Sequence, residues 1–107
     1  FPDIAKAVTS SIVNGQADRG LMVCGTGVGA SVAANKNKGI PAGVCHDVHS
    51  AHQSVEHDDV NVMCIGAQIV GAWLAKDLVE AYLKAEFSTD EDFRRRVRKL
   101  AEMDEKR

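Results

Sequence analysis

No stretch of this chain is apolar for long enough to cross a bilayer, so no membrane span and no membrane partner are expected. Charge of one sign is lacking too. The formal net charge is -2, and basic residues gather only near residues 94 to 99, which leaves little footprint for nucleic acid. Cysteine is scarce and odd in number: Cys24, Cys45 and Cys64 lie at the ends of short apolar runs, at Leu21 to Cys24, Gly43 to Cys45 and Val62 to Ile65. Reduced cysteine is commonly buried in such runs. An odd count without a signal peptide points to a reducing cytoplasm. Repeats, linkers and low-complexity segments are missing as well. What remains, 107 residues with 45% hydrophobic and 26% charged, is one domain over residues 1–107, small enough to benefit from a partner subunit.

Apolar runs alternate with helical patterns along the whole length. Residues 2 to 14 read as a helix opened by Pro2, with Ile4, Ala7, Val8 and Ile12 on one face and Asn14-Gly15 as a stop. A strand "GLMVCG" follows, then a helix from about Gly29 to Lys36, a strand "AGVC", a short helix around Ser50 to Glu56, a strand "NVMCIG" and a long helix from Gly71 to about Ala85. Short all-apolar strands separated by helices signal a parallel sheet covered on both faces, so the expected fold is doubly wound α/β, a Rossmann-like three-layer arrangement. Residues 89 to 106 form a last helix, capped by "STDED", whose narrow stripe of Phe93, Val97 and Leu100 suits the surface of another subunit. A doubly wound sheet usually opens with a strand, whereas "FPDIAKAV" opens with a helix, so a first strand and helix are expected to be absent from this chain.

The stretch "VCGTGVGASVAANK", residues 23 to 36, runs from a strand through three glycines into a helix. In a doubly wound fold such a turn is where ligands bind, because free backbone N–H groups and the helix dipole both favour an anion. Gly25, Gly27 and Gly29 let the backbone approach a phosphate, an enolate oxygen or a carboxylate closely. A tight turn without a ligand is the plain alternative. A phosphatase-type loop would need an arginine six positions after the cysteine, near where Ser31 stands, and is excluded. A dinucleotide or phosphometabolite binding module remains open, since Gly25-x-Gly27-x-x-Ala30 matches G-x-G-x-x-A and Asp47 lies about where a ribose hydroxyl would be met. So does an acid-base site in which Cys24 moves a proton while the Thr26 hydroxyl and the loop amides stabilise an oxyanion.

"GLMVCGTGVGASVAANKNKGIPAGVC" followed by "SAHQSVEHDDVNVMCIGAQIVG" resembles the ribose-5-phosphate isomerase type B and galactose-6-phosphate isomerase family, aldose-ketose isomerases of sugar phosphates. The resemblance runs over nearly the whole chain and rests on CGTGVG, AANK and the H-D-D-x-N-V segment in this order. Family members begin with a further strand and helix ahead of a segment similar to "FPDIAKAV". The resemblance implies a cis-enediolate mechanism without metal or organic cofactor, in a homodimer or homotetramer with shared sites. By it, Cys24 is the proton shuttle between C1 and C2; the glutamate used by a second branch of the family corresponds to Ala30 here. Thr26, with the amides of Gly25, Gly27, Val28 and Gly29, would steady the enediolate oxygen, His57 would help open the sugar ring, and Arg96 would grip the phosphate from a neighbouring subunit.

Chemistry agrees with these residue types. Proton removal beside a carbonyl builds charge on oxygen, and each preorganised donor stabilises it by roughly 3 to 4 kcal/mol. A thiol at a helix N-terminus has a lowered pKa. Three positions depart from the family pattern: Asp58 stands where many members have asparagine and is placed to bind hydroxyls, Gln68 where an arginine is expected, and Asp92 where a second phosphate arginine often stands. A pentose phosphate is therefore one substrate option beside tetrose and hexose phosphates. Cys45 and Cys64 read as core, and Trp73 and Tyr82, with Leu74, Leu78 and Leu83, as core or subunit contact. His46, His49, His52 and His57 crowd twelve residues without a recognised zinc spacing, so no metal is assigned.

Overall fold

The computed structural model describes residues 1–107. Helix α1 (Pro2–Val13) leads to strand β1 (Gly20–Cys24), helix α2 (Val28–Ala34), strand β2 (Ala42–Val44), helix α3 (Val48–Asp58), strand β3 (Val62–Gly66), helix α4 (Ala72–Lys84) and helix α5 (Glu91–Glu105). The three strands form one parallel sheet in the order β1-β3-β2. Gly20 is level with Val62 and Cys24 with Gly66, while Ala42 to Val44 lie along Val62 to Cys64.

Strand β3 is central because it can be buried on both faces. Its five residues are all buried, and successive side chains enter opposite layers. Val62 and Cys64 join Ala5, Met22, Ala30, Ala34 and Ile40 under α1 and α2. Met63 and Ile65 join Cys45, Ala51, Val55, Leu78 and Tyr82 under α3 and α4. This is the expected doubly wound arrangement, with Cys45 and Cys64 in its core. β1 pairs only with β3, and Leu21 and Val23 on it stay exposed.

The helices divide the apolar residues assigned to core or subunit contact. On α4, Leu78 and Tyr82 are fully buried, but Trp73 is 87% exposed and Leu83 54%. Trp73 lies five residues before Leu78, about 140° round the helix, so its side chain leaves the face that meets the sheet. On α5 no residue is fully buried, and Phe93 is spent inside the chain, stacked on His57 with ring centroids 3.9 Å apart. A long-range clasp fixes the start of β1: the Arg19 guanidinium donates to the carbonyls of Tyr82 at 2.6 Å and Ala85 at 2.5 Å, satisfying the end of α4.

Helix α3 is longer than its sequence pattern, starting at Val48 because Asp47 caps it. The Asp47 carboxylate accepts from the Ser50 N–H at 2.7 Å and from the Ser50 hydroxyl at 2.8 Å. Those two bonds hold its pKa below the usual carboxylate value. The acid that a dinucleotide reading needs for a ribose is thus engaged by the helix it opens.

Candidate active site

β1 delivers Cys24 to the carboxyl edge of the sheet, where the chain must turn sharply to enter α2. Gly27 makes that turn, with φ at +81°, a conformation that costs a side-chain-bearing residue energy. There is also no room for a side chain: a Cβ on Gly27 would stand 3.2 Å from the Ile65 carbonyl carbon. The result is a ring of amides around sulfur. The Gly27 N–H donates to Cys24 Sγ at 3.1 Å. The Ala30 amide, helped by those of Gly27 and Thr26, holds the Cys24 thiol below its ordinary pKa against a smaller opposing effect of desolvation. By contrast, burial pushes the Cys64 thiol up to about 11 and raises that of Cys45, leaving Cys24 as the one cysteine set up to ionise.

The mouth of the turn is open to solvent, although Gly27 and Ala30 behind it are buried. Cys24, Gly25 and Gly29 are half-buried, and Thr26 and Val28 are exposed. The Thr26 hydroxyl accepts from the Val28 N–H at 3.4 Å, so it stands at the mouth of the turn with its own hydrogen available. Two side chains lie against the glycines: the Gln68 carboxamide over Gly25 and the Phe1 ring over Gly29, within 3.3 and 2.9 Å of where a Cβ would stand. Cys24 lines none of the three main cavities, of about 460, 500 and 470 Å³.

His57, Asp58 and Arg96 are elsewhere. α3 leaves the carboxyl edge of β2 and returns to the start of β3, and its 11 residues span about 16 Å from the sheet edge that carries Cys24 toward the opposite edge. At that far end His57 is half-buried on Phe93, Asp58 is exposed, and the Arg96 guanidinium lies 5.5 Å from the Phe93 ring centre. Arg94 is anchored to the Ser88 carbonyl at 2.9 Å and Arg95 is paired with Asp92 at 3.5 Å, whereas Arg96 makes no ion pair. The fold therefore divides the expected site residues. Cys24, Thr26 and the glycine turn share one pole, and His57, Asp58 and Arg96 share the other.

The remaining histidines have separate settings. His49 and His52 meet edge to face at 5.1 Å, and His52 is bonded to Glu56 at 2.7 Å. His46 is bonded to the sheet at the Cys24 end, its Nε2 accepting from the Gly66 N–H at 2.9 Å. Its position at the end of an apolar strand was the signal for this, masked by grouping it with the other three histidines.

Residues 1–100 match the family described as Ribose/Galactose Isomerase. The chain is 45% identical over 87 residues to D-erythrulose-4-phosphate isomerase 2 of Mycolicibacterium smegmatis, covering 81% of this chain and 57% of that protein. It is also 45% identical over 87 residues to ribose-5-phosphate isomerase B of Escherichia coli, covering 81% and 58%. Ribose-5-phosphate isomerase B of Clostridium thermocellum superposes with a TM-score of 0.93 at 43% identity, covering 98% of this chain and 70% of that one. The chain thus spans little more than half the length of the two curated relatives.

Proposed function

The chain belongs to the ribose/galactose isomerase family, and from that premise we propose that it interconverts an aldose phosphate and its ketose through a cis-enediolate, with Cys24 as the base. The observation that carries the reading is the Cys24 sulfur, half-exposed at the mouth of the turn and surrounded by the amides of Gly27, Ala30 and Thr26.

The thiolate takes the proton from the carbon beside the carbonyl. The electron pair of that C–H bond becomes the enediolate double bond, and charge moves to the carbonyl oxygen, toward the Thr26 hydroxyl and the amides of Gly25, Gly27, Val28 and Gly29. Returning the proton from sulfur to the neighbouring carbon, with a hydroxyl proton passing between oxygens, completes the exchange. One carbon is oxidised as its neighbour is reduced, so the reaction needs no outside oxidant.

His57 and Arg96 act in this scheme from a second copy of the chain, as members of a homodimer or of a dimer within a homotetramer. In one chain His57 sits at the end of α3 opposite the sheet edge that carries Cys24, with Arg96 beside its Phe93 partner, while the open glycine turn can be covered by another molecule's far pole. Arg96 then holds the phosphate, His57 transfers the proton that opens the cyclic sugar, and Asp58 accepts from sugar hydroxyls. The domain is completed by a further strand on the bare edge of β1, where Leu21 and Val23 are uncovered. Three free thiols suit a reducing cytoplasm.

The test is a panel of four- to six-carbon aldose phosphates turned over in deuterated water by the full-length protein. Turnover with deuterium entering substrate C2 is expected. Turnover with no exchange, after correction for internal return, would mean hydride shift and remove Cys24 as the base; no turnover of any member would remove the activity.

A further inference from the structure

We propose that His46 is a positioning residue for the Cys24 turn: its ring holds the peptide on which Gly27 rests and so keeps the amide ring aimed at sulfur. The inference rests on the reading of Cys24 as the reactive group.

The contacts form a short chain. β3 ends at Gly66, and a Cβ there would lie 2.7 Å from the Thr26 Cα and carbonyl carbon, so the backbone of the glycine turn sits directly on this residue. Gly27 packs on the Gly66 nitrogen from the same side, with only 3.3 Å between that nitrogen and a Cβ on Gly27. The Gly66 N–H therefore forms part of the buried floor of the turn. It faces the β2 side of β3, because on the β1 side the next amide, Ala67, donates to the Cys24 carbonyl at 2.7 Å. β2 ends before it can supply a carbonyl: its last backbone bond upward is the Cys45 N–H to the Cys64 carbonyl at 3.2 Å. The next residue, His46, supplies a ring nitrogen instead, with Nε2 accepting from Gly66 at 2.9 Å.

The ring is held to this task. Cys45 pins the backbone before it to β3, and Asp47 pins the backbone after it to the first turn of α3. An accepting Nε2 also fixes the tautomer, with the hydrogen on Nδ1. Without an acceptor the Gly66 N–H would be buried and unpaired, and the peptide would have to tilt to reach water. That tilt would carry Gly27, whose N–H donates to Sγ. The geometry thus links a side chain two residues past β2 to the charge state of a cysteine on β1.

Three measurements test this. His46→Leu removes the acceptor and His46→Gln restores one near the position of Nε2. The rate of Cys24 alkylation by iodoacetamide is followed against pH, with Cys24→Ser as the blank. His46→Leu is expected to slow alkylation at neutral pH about fivefold or more by raising the thiol pKa, and His46→Gln to recover most of the loss. Turnover of the best sugar phosphate should fall in kcat with KM nearly unchanged. A folded His46→Leu with the parent rate and pH profile overturns the proposal, as does a His46→Gln no better than the leucine. Should His46→Leu not fold, long-range ¹H–¹⁵N spectra of the parent protein still decide: an Nδ1–H tautomer is expected, and an Nε2–H tautomer overturns it. Alkylation does not depend on turnover, so a Cys24→Ala variant that still isomerises would remove the base assignment alone.

Discussion

The two poles of this domain are built from different materials. At the Cys24 pole the groups to which the proposed reaction assigns work are main-chain amides, fixed by a glycine at φ +81° and a floor with no space for a side chain. At the other pole they are His57, Asp58 and Arg96, arranged around one exposed-edge stack of His57 on Phe93. Backbone donors cost no side-chain entropy when they engage an anion, whereas a long arginine must be ordered each time. One pole is thus formed in advance and the other is adaptable, a division that suits the proposed roles, a fixed reaction centre at the first and a grip on sugar phosphates of different length at the second.

The sharpest way to break this contrast is to remove the sulfur. Cys24→Ala should lower kcat by about 10³-fold or more while sugar phosphate binding persists; unchanged turnover would end the contrast, because the preformed pole would then have no chemistry. Arg96→Ala should act through KM, raising it tens of fold with a smaller effect on kcat. Because the poles are assigned to different copies, mixing the Cys24→Ala and Arg96→Ala variants, allowing exchange and assaying at substrate well below the raised KM should return about a quarter of the parent activity through hybrid dimers with one intact site. No recovery from demonstrated hybrids would place both poles in one chain.

The rigidity of the turn predicts its intolerance. Gly66→Ala puts a methyl 2.7 Å from the Thr26 backbone, and a thermal melt should show a loss of about 1 to 3 kcal/mol, an overpacking cost that the flexible pole would not register for His57→Ala. The pH dependence follows from the same amides. They lower the Cys24 pKa by stabilising the thiolate, so activity is retained as pH falls below the ordinary thiol range and is lost only through the lowered value. An acid limb at or above the ordinary thiol range would show that the amides do not act on sulfur. The smallest effect is expected of Gln68→Arg, which adds a cation over Gly25 and should change the ratio of kcat/KM between pentose and tetrose phosphates by about tenfold or less.

Much of this was legible because it is local. "VMCIG" is apolar at every position, which only a central strand can use, and strand, glycine turn and helix follow one another within "VCGTGVGASVAANK". The order β1-β3-β2 was not legible, because periodicity says which face is buried and nothing about which strand is the neighbour. Asp47 reads equally well as a ligand or a cap until the Ser50 amide is seen beside it. Trp73 reads as core or subunit contact from hydrophobicity alone, and its angle on α4 removes it from the core of this chain. The distance between Cys24 and His57 could have been inferred, since a crossover helix that leaves the carboxyl edge of a parallel sheet must end at the other edge.

The Arg19 clasp sets a timetable for the molecule. It ties the first turn of the sheet to carbonyls more than sixty positions later in the chain, so β1 cannot be locked until α4 has been synthesised and docked. A nascent or truncated chain ending before Tyr82 would hold a complete glycine turn on an unsecured strand. Such a fragment should present its cysteine to oxidants in a form that the finished protein does not.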